Sequence, residues 1–313
     1  MIYWLIMVNL HRLSILLRVI DLESVTQAAE ELRYTPSAVS QQLKKLEKEI
    51  GQPLLRRHSR GVVPTDAGRV LATHARKVFT QLDAAQVDLT EVAEGRNGTL
   101  VIGSFPTLAA SFLPRVIETF THERPEVHLK VRSARFEGLI EDLQRGKTHM
   151  ALIWDYPWEP VSADVVQTEE LYEEESVVIV AKDHPFAGRG EVPLEEFRDE
   201  PWIVRAGNHP AMGVLERAAT SARFRPSVAM YVNDYQEAQA MVSVGMGVLM
   251  VPRSALALKH PDVRVISLGA DAPIRRVLLA RREEHECSPA ERTFISVLKE
   301  LIVTEGTDAG SPG

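Results

Sequence analysis

SVTQAAEELRYTPSAVSQQLKKLEKEI, residues 24–50, reads as a helix, a tight turn and a second helix. Ser24 followed three residues later by Gln27 is a capping-box start, in which hydroxyl and amide each satisfy a backbone N–H left free by the first turn. Ala28, Ala29 and Leu32 give the first helix a small face for close packing. Thr35 with Pro36 starts the second helix: a hydroxyl cap, then a proline where the missing N–H costs nothing. Within it Val39, Leu43, Leu46 and Ile50 recur at helical spacing and are expected to be buried. Ser37, Ser40, Gln41, Lys44 and Lys48 form the opposite stripe. Hydroxyls, an amide and ammonium groups on an exposed helix suit a major groove, where base edges and phosphates offer partners. An ordinary helical hairpin with a solvated polar face is the competing reading.

The flanking sequence favours DNA. After Gly51, QPLLRRHSRGVVPTDAGRVL gives a short extended stretch, a basic turn at Arg56, Arg57 and Arg60, and a return through Val62 and Val63. That is a two-stranded wing whose arginines would meet a minor groove or the phosphate backbone. Between Arg33 and Lys77 ten basic residues face three acidic ones, a local charge of +7 in a chain of net −7, so the remainder carries −14. Such asymmetry fits one nucleic-acid-binding domain joined to a domain that avoids phosphates.

The segment from Leu10 to Gly68, with AAEELRYTPSAVSQQLKKLEKEIGQPLLRR at its centre and PTDAG at its end, resembles the winged helix-turn-helix of LysR-type transcriptional regulators. The similarity runs from Met7 to the late helix near Leu301, and VNDYQEAQAMVSVGMGVLMVP at 232–252 is especially family-like. The resemblance implies an all-α winged helix-turn-helix (7–64), a long linker helix (65–95) and a two-lobed, periplasmic-binding-protein-like α/β effector domain (99–304). The first lobe is expected at 99–160 and 268–304, the second at 161–267, with 305–313 a flexible tail. Thr35, Pro36, Ser37, Ser40, Gln41, Lys44, Arg56, Arg57 and Arg60 are the expected DNA contacts. Further implied partners are a small-molecule effector, RNA polymerase and further copies of the chain in a homodimer or homotetramer.

The linker supports pairing independently. From Thr65 and Asp66 onward no proline intervenes until Pro106, and Leu71, Ala75, Val78, Leu82, Ala85, Leu89 and Val92 repeat at alternating spacings of four and three, a coiled-coil seam. A helix over 65–93 would be ~43 Å long at 1.5 Å per residue. Its stripe packs either on the chain's own body or on the same helix of a second subunit; the effector lobes need their own cores, which favours the second.

From Thr99 strands alternate with helices, the mark of an α/β lobe. LVIGSF, VHLKVRSA and HMALIWD read as strands, Leu108 to Phe120 and FEGLIEDLQRG as helices. SVVIVAK, PWIVRAG, SVAMYVN and GMGVLMVP supply a second lobe, and RRVLLARR returns the chain to the first. Two such lobes with crossing strands enclose a hinged cleft. Ligands of open α/β sheets sit beyond the carboxyl ends of the strands, which nominates Ser104, Phe105, Pro106 and Thr107, then Trp154 and Asp155, then Arg205 and Gly207, and finally Asn233, Asp234 and Tyr235. By the resemblance, Ser104, Thr107, Arg205 and Asn233 are the foremost effector contacts, with Phe105 and Trp154 beside them. Ser104, Asn233 and Asp234 have a plainer role as helix caps, Arg205 as an ordinary ion pair, and Trp154, Tyr156 and Trp158 as a loop cover.

Other classes fit less well. No run approaches the ~20 apolar residues of a membrane helix. MIYWLI ahead of Met7 lacks the basic start and small-residue cleavage site of an export signal; either it packs on the first helix or translation begins at Met7. One cysteine, Cys287, makes no disulfide within the chain, and the ten histidines are scattered, so no metal is expected. GxGxxG after a strand, GxxxxGK[ST], HExxH and GxSxG are all missing, so nothing asks for catalysis or a cofactor. A solute-binding protein without a regulatory role would leave the N-terminal third unexplained. The expectation is a cytoplasmic transcription factor, answering a small molecule and lacking enzymatic activity.

Overall fold

The computed structural model describes residues 9–58, 61–93, 98–162, 166–206, 210–283 and 287–308. MIYWLI, Met7, Arg60, Gly207 and residues 309–313 lie outside that set. The chain divides into two compact units, Met1–Thr90 and Glu91–Gly313.

In the first unit α1 (Leu10–Leu22), α2 (Val25–Glu31) and α3 (Pro36–Ile50) start where the sequence places caps. Ser24 Oγ accepts from the Gln27 N–H at 3.3 Å, and Thr35 Oγ1 from the Ala38 N–H at 3.2 Å. The α3 helix stops at Gly51, whose φ of 78° is a left-handed conformation open to glycine. Ile15, Leu16, Val19, Ala28, Ala29, Val39, Leu46 and Leu54 are fully buried together; each of the leucines contributes about 1.5–3 kcal/mol by leaving water. Strands β1 (Leu55–His58) and β2 (Gly61–Pro64) pair antiparallel as the wing. Two bonds aim it. Glu47 Oε1 accepts from the Leu54 N–H at 2.8 Å, and the Val62 N–H donates to the Glu23 carbonyl at 3.0 Å.

Helix α4 (Asp66–Ala93) follows, its first turn capped by Thr65 Oγ1, which accepts from the Gly68 N–H at 3.0 Å and donates to the Pro53 carbonyl. A Cβ on Gly68 would overlap the Leu54 carbonyl oxygen, a backbone atom that cannot swing aside. Gly68→Ala is therefore expected to destabilise this unit by about 1–3 kcal/mol, the usual range for overpacking. Urea unfolding of the variant checks this, and an unchanged midpoint would show that the hairpin yields freely.

The expected seam of α4 divides. Leu71 and Ala75 pack on the unit's own core with Phe79, because the first turns of the helix must close the winged helix-turn-helix. Leu71 is thus partly buried within its own unit. Val78, Leu82 and Leu89 are 43%, 46% and 65% exposed, so the stripe beyond the core is open. The Val92 side chain is outside the described set.

The second unit is built on a seven-stranded mixed sheet of order β10–β6–β11–β5–β3–β4, with β9 also on β6. Its strands are β3 (Thr99–Ser104), β4 (His128–Ser133), β5 (Met150–Asp155), β6 (Gln167–Ala181), β9 (Leu249–Pro252), β10 (Val263–Ile266) and β11 (Ile274–Arg281). The sheet is parallel over β4–β3–β5 and antiparallel from β5 through β11 to β6. The strand read at 176–182 is the second half of fifteen-residue β6; its first half, QTEELYEEE, is too charged to read as a strand but pairs along β11. Strand β6 crosses between lobes: residues 167–175 pair with β11, and 176–181 with β9 and β10. In the second lobe Val178 and Val180 enter one core, Val177 and Ile179 another, so β6 is buried on both faces. Strands β7 (Pro201–Arg205) and β8 (Ser227–Val232) pair parallel, and Trp202 bridges to Val248 beside β9.

The helix expected at 108–120 is two. Helix α5 (Pro106–Ala110) ends at Ser111, and α6 (Leu113–Glu123) has Pro114 in its first turn, where a missing N–H and a bulky ring prevent continuation. Helix α7 (Phe136–Gln144) joins β4 to β5, and α8 (Ala211–Ser221) and α9 (Tyr235–Ser243) serve the second lobe. Helix α10 (Pro289–Asp308) returns to the first lobe, where Phe294, Val297 and Leu298 join the core; it runs past the expected end at Thr304.

Candidate functional site

The face of α3 opposite Val39, Leu43 and Leu46 carries Ser37, Ser40, Gln41, Lys44 and Lys48. Thr35, Pro36, Ser37, Gln41, Lys44 and Lys48 are exposed and Ser40 half-buried. The cations of this unit fall into two groups. Arg12 pairs with Glu49, Arg18 with Glu31, Arg69 with Asp66 and Arg76 with Asp21. Among the described residues, the side chains of Arg33, Lys44, Lys45, Lys48, Arg56 and Lys77 have no carboxylate or hydrogen-bond partner; the first five lie at the turn, on α3 and on the wing, and Lys77 on α4. Three of these pairs join separate helices, with Arg12 tying α1 to Gln42 and Glu49 of α3, whereas Arg69–Asp66 lies within α4. Arg57 stands on β1, but its side chain, like all of Arg60, is outside the described set.

In the second unit the sequence-nominated residues come together only in part. Ser104 is fully buried, its hydroxyl directed to the Phe105 carbonyl at 3.4 Å. Phe105 is also buried, edge-on to Trp154 with centroids 4.9 Å apart. Thr107 and Arg205 do face each other across a small cavity of about 70 Å³, with Tyr235 and Ser254 in its wall. Arg205 lies over the Tyr235 ring at 4.9 Å and donates from Nη2 to the Asn233 carbonyl at 3.1 Å, while its buried Nε has no acceptor. Asn233 does not line this cavity. Its backbone N–H donates to Glu237 Oε2 at 2.7 Å, and Asp234 Oδ1 accepts from the Glu237 N–H at 2.8 Å, a reciprocal cap of α9. Asp234 is thus the N-cap of α9, while the exposed Asn233 side chain reaches Glu237 Oε2 at 3.5 Å. Phe105 and Ser104, buried in the first lobe, do not line this cavity either.

Behind the small cavity lies an ion pair that the sequence did not reveal. Arg275 at the start of β11 and Glu174 on β6 have side chains only 5% and 7% exposed. Arg275 donates from Nε to Glu174 Oε1 at 2.9 Å and from Nη2 to Ser254 Oγ at 3.0 Å and Thr107 Oγ1 at 3.5 Å. One guanidinium thus touches the crossing strand, the second lobe and the first. Its plane faces the rings of Phe105 at 5.0 Å and Trp154 at 6.0 Å. Burial works against the Arg275 charge and Glu174 outweighs it, so the pKa rises and the guanidinium stays charged. Burial also raises the Tyr156 and Tyr235 phenols above their ordinary value, with Arg275 opposing, so both are neutral donors at physiological pH. Glu174 sits in a glutamate run that reads as a solvated face; only its pairing with β11 identifies it.

The roomy opening is beside this network. A cavity of about 940 Å³ lies between α7, the end of β5 with its following loop, and the first turns of α8. Of the nominated residues Trp154 and Asp155 line it, with Phe136, Tyr156, Trp158, Val214 and Arg217 among its other walls. Tyr156 and Trp158 stack at 4.7 Å, and Arg217 covers the outer face of Trp158 at 5.0 Å. The aromatic group Trp154, Tyr156 and Trp158 was legible in the sequence; the contribution of α8 was not, since nothing local places it opposite β5. Asp155, nominated with Trp154, is bound at both carboxylate oxygens by Arg276, each at 2.8 Å. Cys287 is half-buried with Sγ 3.1 Å from Arg281 Nη1, and the described residues hold no cluster of metal-ligating side chains.

Comparison with known proteins agrees with both units. Residues 10–69 match the bacterial regulatory helix-turn-helix proteins of the lysR family, and residues 93–302 match the LysR substrate binding domain. The chain belongs to the LysR family of transcriptional regulators, with an N-terminal DNA-binding helix-turn-helix and a two-lobed effector-binding domain. It is 28% identical over 293 residues to the HTH-type transcriptional regulator AlsR of Bacillus subtilis, covering 91% of this chain and 94% of the relative. The nitrogen assimilation regulatory protein nac of Klebsiella aerogenes is 32% identical over 79% of each chain. A crystal structure of full-length CbnR complexed with target DNA shares the fold with a TM-score of 0.58, at 20% identity over 94% of this chain and 100% of that one. No described helix is long and apolar enough to cross a membrane.

Proposed function

We propose that two copies of this chain pair through the open stripe of α4, at Val78, Leu82 and Leu89, and set two α3 helices into successive major grooves of a roughly palindromic promoter site. A small molecule held between the lobes shifts their angle and so the geometry of the DNA-bound pair. Contact with RNA polymerase is the route from that geometry to transcription, two dimers joining as a tetramer where both half-sites are bent. The chain catalyses no reaction, needs no cofactor and works in the cytoplasm. The observation that carries the reading is the group of cations without acidic partners on α3, the turn and the wing, in a unit where the cations that tie α1 to α2, α3 and α4 are paired.

Within this interface the residues divide by role. Ser37, Ser40, Gln41 and Lys44 address base edges; Thr35 and Pro36 set the helix start against the backbone; Arg56, Arg57 and Arg60 meet phosphates. Incubating the protein with sheared DNA of its source genome and sequencing what is retained is expected to enrich a few sites. Uniform retention at moderate salt by folded protein would oppose specific recognition. Gln41→Ala is expected to change which sites are enriched, at about 1–3 kcal/mol per base contact. Arg56→Ala should weaken binding to all sequences alike and reduce the salt slope by about one. Unchanged site preference in Gln41→Ala would remove that helix face from base recognition.

A further inference from the structure

We propose that the ligand of the two-lobed domain is an uncharged, flat aromatic molecule, bound in the 940 Å³ cavity between α7, β5 and α8 rather than at the Thr107–Arg205 pocket. This rests on the reading of that domain as an effector sensor and gives the sensor its ligand class. Size decides between the two cavities. Small-molecule sites run to about 300–1,000 Å³, a range that includes the larger cavity and excludes the one of about 70 Å³.

The walls set the shape. Phe136 and Trp154 meet edge to face at 5.5 Å on one side, and the parallel Tyr156–Trp158 pair forms another. Ile140, Val161 and Val214 complete an apolar lining drawn from both lobes. Ring systems gain about 0.5–1.5 kcal/mol beyond their buried area against such partners.

Charge sets the rest. Asp155 is neutralised by two bonds from Arg276, Glu141 pairs with Arg145, and Arg217 rests on Trp158. Arg135, Glu137 and Glu159 are exposed, one cation against two carboxylates at the opening. Among the described residues, no buried unpaired charge faces this cavity. An ammonium or carboxylate carried inside would lose its hydration without a counter-ion, whereas a neutral ring would not.

Full-length protein titrated calorimetrically with three probes on one ring system tests this: 2-naphthol (neutral), 2-naphthoate (anionic) and 2-naphthylmethylamine (cationic). The expected result is saturable binding of 2-naphthol at least ~10-fold tighter than either charged probe. Gly213→Trp should abolish it. Gly213 lines the cavity on α8 with open space where a Cβ would stand, so the added side chain starts without a clash beside the site. Trp158→Ala, which removes the stacked wall, should weaken the same probe by ~10-fold or more. Equal or tighter binding of a charged probe, no binding of any, or binding undisturbed in folded Gly213→Trp and Trp158→Ala would each overturn the proposal. Retention of genomic DNA, measured separately on the same preparation, judges the regulator reading: its loss leaves the probe result standing, and its presence with no probe bound removes only the ligand class.

Discussion

Glu174→Gln is expected to lower the unfolding free energy of the second unit by about 3–5 kcal/mol, because it leaves a buried guanidinium without its counter-ion. The Arg275 and Glu174 side chains are 5% and 7% exposed, so water does not take over the lost role. Ser254 and Thr107 still accept from Arg275, but both are neutral, and their hydroxyls do not offset an uncompensated charge. Adding Arg275→Met should restore much of the loss, since two groups that miss each other are replaced by neutral side chains. Urea titration followed by fluorescence reads both variants. A loss below about 1 kcal/mol in Glu174→Gln would mean that water enters the hinge and the pair is effectively exposed. Arg275 also bonds both lobes, so the single variant should loosen their relative angle as well as weaken the fold.

The second large effect is on assembly. Leu82→Lys with Leu89→Lys places two ammonium groups on the open stripe of α4, where both native leucines are largely exposed in a single chain. The double variant is expected to sediment as a monomer. DNA affinity should then fall by about 10²–10⁴-fold, since a pair that engages two half-sites gains that much over one reader. The fold of the first unit should survive, because its core uses Leu71, Ala75 and Phe79 of the same helix and neither substituted residue. A variant that stays dimeric would place the subunit contact elsewhere.

Most of the first unit was legible from local chemistry. Ser24, Thr35 with Pro36, and Gly51 are start and stop signals acting within one helical turn, and the structure uses each of them there. The heptad-like repeat of α4 was equally legible, yet its division between Leu71 and Ala75 in the core and Leu82 and Leu89 outside was not. Periodicity records that a face is apolar; what covers it depends on which elements fold back against it.

In the second unit the strand pattern carried the lobes, but not which strand-end residues border open space or which charges pair. Asn233 and Arg205 follow strand ends, as the rule for open sheets requires, but the Asn233 backbone N–H is bound to Glu237 beside the α9 cap and Arg205 borders a cavity of about 70 Å³. Glu174 and Arg275 are 101 positions apart and lie in runs of like charge. By itself, then, the sequence determined the winged helix-turn-helix, its basic face, the long helix and the two α/β lobes, because caps, periodicity and local charge act over a few residues. The tertiary structure alone decided which charges are buried against each other at the crossing of β6 and β11, and where room remains between α7, β5 and α8. Burial and open volume belong to surfaces brought together from distant parts of the chain, and no local pattern encodes them.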